Sequence, residues 1–190
     1  MKALYTAIKI FLFFTVLTGI LYPLLITAAA QMLFPWKANG SLVTVHGKVV
    51  GSALIGQQFD TVLYFSSRPS VVSYIPLPSG GSNLGVTSAK LKEEVASRKL
   101  AFVLDNKIDR GTEIPAEMFC ASASGLDPHI SPRAAMLQVE KVAGARSFTG
   151  SQKQELVRLI GHLTEKPQFL IFGEERINVL LLNLETDKIR

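Results

Sequence analysis

Ile10-Phe-Leu-Phe-Phe-Thr15-Val-Leu-Thr-Gly19-Ile-Leu-Tyr22-Pro23-Leu-Leu-Ile-Thr27-Ala-Ala-Ala30-Gln-Met-Leu-Phe34-Pro35-Trp36 carries no charged side chain; Lys9 precedes it and Lys37 follows it. In hydrocarbon no water satisfies backbone N–H and C=O groups, so a lone segment of this kind must be helical. About 20 apolar residues cross a bilayer core of about 30 Å. From Ile10 to Phe34 a helix runs roughly 37 Å at about 1.5 Å per residue, enough to span with tilt. Pro23 removes one internal hydrogen bond and predicts a kink. The rival reading is a cleaved signal peptide, with Lys2 and Lys9 as its n-region and Ala28-Ala29-Ala30 as an A-x-A site. The apolar run is longer than the 7–15 residues or so of such a segment, which favours the anchor.

Charge sets the expected orientation. Lys2, Lys9 and the amino terminus precede the span, so the positive-inside bias places the N-terminus in the cytoplasm. Trp36 suits the far interface. The chain thus divides into a cytoplasmic leader (1–9), a transmembrane helix (10–34) and one extracytoplasmic domain (35–190). Thr15, Gly19, Pro23 and Thr27 recur every four residues and make a candidate stripe for packing against another transmembrane helix.

The chain has 190 residues and a net charge of +5. Subtracting Lys2 and Lys9 from +5 leaves +3 for the remainder. That is mild, and no Lys/Arg cluster interleaves with aromatics, which argues against nucleic acid. One cysteine, Cys120, precludes an internal disulfide and reads as a small buried hydrophobe.

Beyond the linker 37–40, two β-branched runs flank His46-Gly47-Lys48 and predict a hairpin. Ala53-Leu54-Ile55-Gly56 reads as a continuing buried strand. Residues 65–85 are dominated by Pro, Gly, Ser and Asn and read as a loop. Twenty or so idle residues are more than a compact domain normally leaves, so this loop is either packed on a partner or functional. Ser88 caps a predicted helix from Ala89 to about Ala101, with Leu91, Val95 and Phe102 near one face. Asp105–Gly111 reads as a charged turn, and Ile114–Met118 as a helical turn with Pro115 at its first position. Ser131-Pro132 opens a helix to about Ala143, with Met136, Val139 and Val142 inward and Gly144 ending it. Ser151 caps another, with Leu156, Leu159, Ile160 and Leu163 inward. Phe169-Leu-Ile-Phe172-Gly173 reads as a strand. Ile177–Leu184 fits strand and helix equally. The fold class is α+β: a single N-terminal transmembrane helix followed by one mixed α/β extracytoplasmic domain.

No motif carries chemistry. Ser122, Ser124, Asp127 and His129 lie within eight residues, but Ala121-Ser-Ala-Ser-Gly125 is not the G-x-S-x-G elbow. A tight turn is the better account, because Ser and Asp bond nearby backbone and Pro128 fixes φ. Ser79-Gly-Gly-Ser-Asn-Leu-Gly85 lacks the G-x-x-x-x-G-K-[ST] pattern of a phosphate loop. His46, His129 and His162 are scattered, without metal-ligand spacing. No catalytic, cofactor-binding or metal residue is assigned. A membrane-anchored serine hydrolase and an independent solute-binding module stand as the alternatives to a protein that works by contact.

Seven stretches together resemble the C subunit of the Kdp potassium-transporting P-type ATPase. They are Gly19-Ile-Leu-Tyr22-Pro23-Leu24, Phe34-Pro-Trp36-Lys-Ala-Asn-Gly-Ser41, Gly51-Ser-Ala-Leu-Ile-Gly56-Gln57, Tyr64-Phe65 with Arg68-Pro69-Ser70, Ser79–Gly85, Ser122–Pro132 and Asn178-Val-Leu. The likeness covers nearly the whole chain, with departures at Gln58, Asp60–Leu63, Ile75, Cys120 and Glu140-Lys141. It implies a non-catalytic accessory subunit of a high-affinity, ATP-driven potassium uptake complex in the bacterial inner membrane. Its implied partners are a channel-like A chain, an ATP-hydrolysing B chain and a small F chain, with lipid around the helix. ATP and K⁺ would be handled by those partners, with no cofactor on this chain. The family is described as needed for assembly and as a catalytic chaperone raising the B chain's ATP affinity. A head outside the membrane cannot touch cytoplasmic ATP, so such an effect would be a coupling between sites. Arg68, Ser79, Gly80, Gly81, Ser82, Asn83, Asp127 and His129 are the expected partner-docking positions.

Overall fold

The structure, a computed structural model, describes residues 1–109 and 111–189. Contacts divide the chain into two units, Met1–Ser52 and a second beginning at Ala53.

The first unit opens with a helix, Lys2–Leu33, long and apolar enough to cross a membrane. It comprises α1 (Lys2–Val16), a π-helical turn (Leu17–Leu21) and α2 (Tyr22–Leu33). The helix takes in residues 2–9, which the sequence reading set apart as a leader. The π turn ends two residues before Pro23, and the Tyr22 N–H bonds the Leu17 carbonyl five residues back. Proline has no N–H for the residue four back, and a widened turn is one way a helix accommodates that break. Phe34, at φ −140°, stops the helix, and α3 (Pro35–Ala38) follows. The Trp36 indole N–H donates to the Leu42 carbonyl at 2.9 Å. β1 (Leu42–Val45) and β2 (Lys48–Ser52) pair antiparallel, with an irregularity between Val43 and Thr44. His46 and Gly47 both take positive φ, 49° and 78°, as a two-residue hairpin turn requires.

The regular structure of the second unit is mostly helix, joined by long irregular segments. Its elements are α4 (Ala89–Asp105), a 3₁₀ turn (Ala116–Met118), β3 (His129–Ile130), α5 (Pro132–Met136), α6 (Val139–Ala145), α7 (Gly150–Leu163), β4 (Ile177–Asn178) and α8 (Val179–Thr186). β3 and β4 form a two-residue antiparallel pair. The core gathers Phe65, Phe102, Ile114, Met118, Ile130, Val139, Val142, Leu156, Ile160, Ile177, Val179 and Leu182.

Local signals placed two of the helix starts. The Ser88 hydroxyl accepts from Leu91 N and starts α4; the Ser131 hydroxyl accepts from Ala134 N and starts α5. Val139, Val142, Leu156 and Ile160 are buried, and Phe65–Gly85 contains neither helix nor strand. Cys120 is half-buried.

Other expectations are corrected. The helix expected from Ser131 to Ala143 is two helices, interrupted at Leu137 and Gln138, where the Gln138 N–H bonds the Ala135 carbonyl three residues back and Gln138 Nε2 donates to the Ala134 carbonyl. The Gln138 side chain also serves another segment. Its Oε1 accepts from Ser66 N at 2.7 Å and its Nε2 donates to Ser66 O at 3.3 Å. Met136, expected inward, is exposed, and α6 passes through Gly144 to Ala145. α7 is capped by Thr149 rather than Ser151. Thr149 and Gln152 form a reciprocal capping box, which satisfies two helix-start donors at once. Pro115 precedes its 3₁₀ turn instead of opening it. The charged turn expected from Asp105 begins one residue late, since α4 includes Asp105; Arg110 within it, like Arg190 at the end of the chain, lies outside the described residues.

Ala53–Gly56 is a turn, not a strand, with Leu54 and Ile55 exposed. Phe169–Gly173 is also not a strand but an exposed turn. The ambiguous Ile177–Leu184 segment is both things in succession. Ile177 and Asn178 pair with β3, and the Asn178 carboxamide then accepts from Leu181 N to cap α8.

Candidate interaction site

The loop 65–85 lies on the segment 121–131, and backbone hydrogen bonds join them. Gly80 N donates to Ser124 O at 3.0 Å, and Ser122 N donates to Pro69 O at 3.2 Å. Gly56 N donates to Leu126 O at 2.7 Å and brings a third segment alongside. This close approach needs glycine. A Cβ at Gly125, where φ is +70°, would sit 2.5 Å from Val72 Cγ2 and 3.1 Å from Gly80 O. A Cβ at Gly56 would sit 2.7 Å from the Asp127 carbonyl oxygen.

Within this junction Arg68, Asp127 and His129 come together. Arg68 Nη1 donates to Asp127 Oδ2 at 2.8 Å. Asp127 Oδ1 accepts the His129 backbone N–H at 3.0 Å and lies 3.4 Å from His129 Nδ1. Partial burial alone would push the Asp127 carboxyl up. Hydrogen bonds from His129 and the Arg68 guanidinium outweigh it and hold the group below the ordinary carboxylate range. The Tyr74 hydroxyl donates to the Arg68 carbonyl and so fixes the backbone that carries the guanidinium. Arg68 Nε is buried without an acceptor among the described residues. Such a donor costs free energy until something accepts it.

These groups face a recess of about 240 Å³ shared with Glu117, Glu174, Glu175 and Arg176. The recess is ionic. Glu117 Oε1 also accepts from Ser131 N at 2.7 Å, just ahead of α5. A second recess, of about 450 Å³, lies between 58–74 and the helices α4 and α6 and is lined by Tyr74, Arg98, Asp105 and Lys141. Lys141 Nζ donates to Ser66 Oγ at 3.0 Å. Burial pushes the Lys141 ammonium below its ordinary value, and Asp105 opposes that only in part. Burial likewise pushes the Tyr74 phenol up to about 12; a hydrogen bond with Ser67 opposes the shift and the charge of Asp60 adds to it.

Of the expected docking positions, Arg68, Asp127 and His129 therefore meet. Gly80 and Gly81 lie against Ser124 and Ala123, and Gly81 and Ser82 are half-buried. Ser79 and Asn83 are exposed, and Asn83 takes φ +54°. Thr15, Gly19, Pro23 and Thr27 are exposed on the long helix, as are nearly all its residues. The Thr15 hydroxyl donates to Phe11 O at 2.8 Å, and nothing lies within 4 Å of a Cβ at Gly19. Ser124 Oγ accepts from Leu126 N at 3.1 Å, as the turn reading requires, and Ser122 is buried. Among the described residues no three His, Cys, Asp or Glu side chains cluster to hold a metal ion.

Sequence reasoning missed Glu117, Glu174, Glu175 and Arg176 beside the recess. It also read Phe169–Gly173 as a strand, whereas its four apolar residues Phe169–Phe172 form a turn at the surface.

Comparison with known proteins is consistent along the chain. The family model described as "K+-transporting ATPase, c chain" matches residues 4–188. A potassium-transporting ATPase KdpC subunit from Gemmatimonas aurantiaca is 48% identical over 176 residues, covering 91% of this chain and 86% of that protein. One from Escherichia fergusonii is 43% identical over 192 residues, covering 100% of this chain and 99% of that protein. One from Escherichia coli strain SE11 is 42% identical over the same length and coverage.

Proposed function

Because this chain belongs to the K+-transporting ATPase c-chain family, we propose that it is the non-catalytic accessory subunit of a bacterial potassium-transporting ATPase. Its long helix sits in the inner membrane with the amino terminus in the cytoplasm. Its head lies outside and holds the channel-like and ATP-hydrolysing chains together, with the small F chain alongside. K⁺ and ATP are handled by those chains. Any effect on ATP affinity reaches the B chain through the assembly, as a coupling between sites.

One observation carries this reading. The family match runs from residue 4 to residue 188, so it takes in both the apolar helix and the head. The geometry adds support. Three of the expected docking positions, Arg68, Asp127 and His129, form an ionic cluster beside a recess, which suits the polar rim of a contact face.

The test is purification of the tagged chain in detergent from cells expressing the whole transporter. The other ATPase chains should co-purify, and K⁺-stimulated ATP hydrolysis should fall when this chain is left out and return when it is restored. Gly19→Leu, which fills the open position on the helix, should weaken co-purification. A thiol at exposed Glu155 in a Cys120→Ser background should label only from outside the cell. A chain that purifies alone and turns over a substrate by itself would sink the proposal.

A further inference from the structure

Residues 165–176 form a finger with a greasy tip. Its base is closed twice over: Glu165 N donates to Arg176 O at 2.8 Å, Arg176 N donates to Glu165 O at 3.1 Å, and Arg176 Nε donates to Glu165 Oε2 at 3.0 Å. Further out, Gln168 and Phe172 exchange both backbone bonds at 2.9 Å. From Arg176 the chain runs directly into β4, whose Ile177 is fully buried. The finger is therefore a built projection.

At its tip Phe169, Leu170, Ile171 and Phe172 are 85%, 78%, 77% and 66% exposed. Single exposed apolar residues are ordinary, but four large ones in a row on one turn mark an interaction surface. Their backbone adds a second observation. Phe169 and Leu170 both take left-handed φ, 53° and 64°. The β1–β2 hairpin makes its two-residue turn of the same hand with His46 and Gly47. Here two bulky apolar residues occupy positions that ordinarily take Asn and Gly, against steric preference. Strain of this kind persists where function requires it.

We infer that this tip is an anchor that seats in an apolar socket with a basic rim on another polypeptide of the same transport ATPase. The inference rests on the accessory-subunit reading and deepens it. Charge chooses the partner. The residues behind the tip are Glu165, Lys166, Glu174, Glu175 and Arg176, three carboxylates against two cations, and Glu174 and Glu175 also line the ionic recess with Arg68 and Asp127. An anionic lipid surface gains nothing from that collar. A second copy of this chain, docking tip to tip, would set two such collars against each other. A basic rim complements it, and a rigid, preformed turn suits a socket of fixed shape better than a fluid interface.

The experiment uses the full chain expressed with the other chains of its ATPase and purified in detergent. p-Benzoylphenylalanine takes the place of Leu170, and in a control the place of exposed Glu155. Irradiation should join position 170, and not 155, to another ATPase polypeptide, identified by mass spectrometry. Adducts to lipid alone, to a second copy of this chain alone, or to nothing would overturn the inference. The double substitution Phe169→Asn with Leu170→Gly separates docking from folding. It gives the turn the residues its backbone prefers, so the melting temperature of the full chain alone should hold or rise. Retention in the complex should fall about tenfold or more, as when buried anchor residues are lost from an interface. Wild-type retention in that variant would also overturn the inference. If the unmodified chain fails to co-purify at all, the accessory-subunit reading falls and this inference with it. If it co-purifies while the tip neither cross-links nor matters, only the inference falls.

Discussion

The side chain of Asn183 holds the backbone of Phe65 by both its polar groups. Asn183 Oδ1 accepts Phe65 N–H at 2.8 Å, and Asn183 Nδ2 donates to Phe65 O at 3.0 Å, across 118 positions of sequence. Both residues are buried. One carboxamide on α8 thus takes the place of a strand partner for a loop that has none, and Gln138 does the same for Ser66 from between α5 and α6. These two amides fix the start of the loop that carries Arg68.

Asn183→Ala should therefore cost more than a surface polar substitution. It leaves a buried N–H and a buried C=O unpaired, at about 1–3 kcal/mol each. The expected loss is about 3–5 kcal/mol in urea unfolding of the head. Asn183→Asp keeps the shape but sets a carboxylate against the Phe65 carbonyl, and should be no milder at neutral pH. A loss below about 1 kcal/mol for the alanine variant would show that water reaches these groups.

Gly125 and Gly161 should respond oppositely to alanine. At Gly125 the left-handed backbone alone costs about 1–2 kcal/mol for a residue with a Cβ. The new methyl would also meet Val72, Gly80 and Ser70. Gly125→Ala should lower stability and expose the 70–85 loop to limited proteolysis. Gly161 lies in α7 with nothing within 4 Å of a Cβ. Gly161→Ala should raise stability by about 0.5–1 kcal/mol, because glycine gives up more backbone freedom in a helix than alanine. Thermal melts of the two variants, side by side, are the check.

The Arg68–Asp127–His129 cluster should show itself in acid. The Asp127 carboxyl is lowered from its ordinary 3.8 in the folded chain. Between the folded value and 3.8 the unfolded chain binds more protons, so stability rises with pH across that window. The contribution is complete above about pH 4 and is lost as pH falls through the folded value. Asp127→Asn should be less stable than the parent at pH 7, and the two unfolding curves should converge as the pH is lowered past that window. Curves that stay parallel from pH 7 into acid would remove the cluster as a source of acid sensitivity.

How much of this was legible in the sequence varies by element, with a physical pattern. The span, the His46-Gly47 turn and the Ser88 and Ser131 caps were legible because each is decided within a few residues by hydrogen-bond supply or steric preference. The Phe169–Phe172 tip was not, because its composition is that of a core strand and only its surroundings show it to be exposed. Ala53–Gly56 failed in part the same way, since Leu54 and Ile55 are exposed while Ala53 and Gly56 are buried. Of the expected docking positions, Arg68 and Asp127 lie 59 residues apart, and nothing local pairs them.

The sequence by itself determined that an uncharged run long enough for a bilayer precedes a region of mixed helix and strand, since length and charge exclusion are properties of composition. Its motifs likewise sufficed to place the chain in a family. Only the tertiary structure decided that Asn183 and Gln138 would serve distant backbone, that Gly56 and Gly125 would admit close chain crossings, and that an apolar run would face outward. Those outcomes depend on which buried donors and acceptors lack partners once the chain has collapsed, and no window of local sequence contains that information.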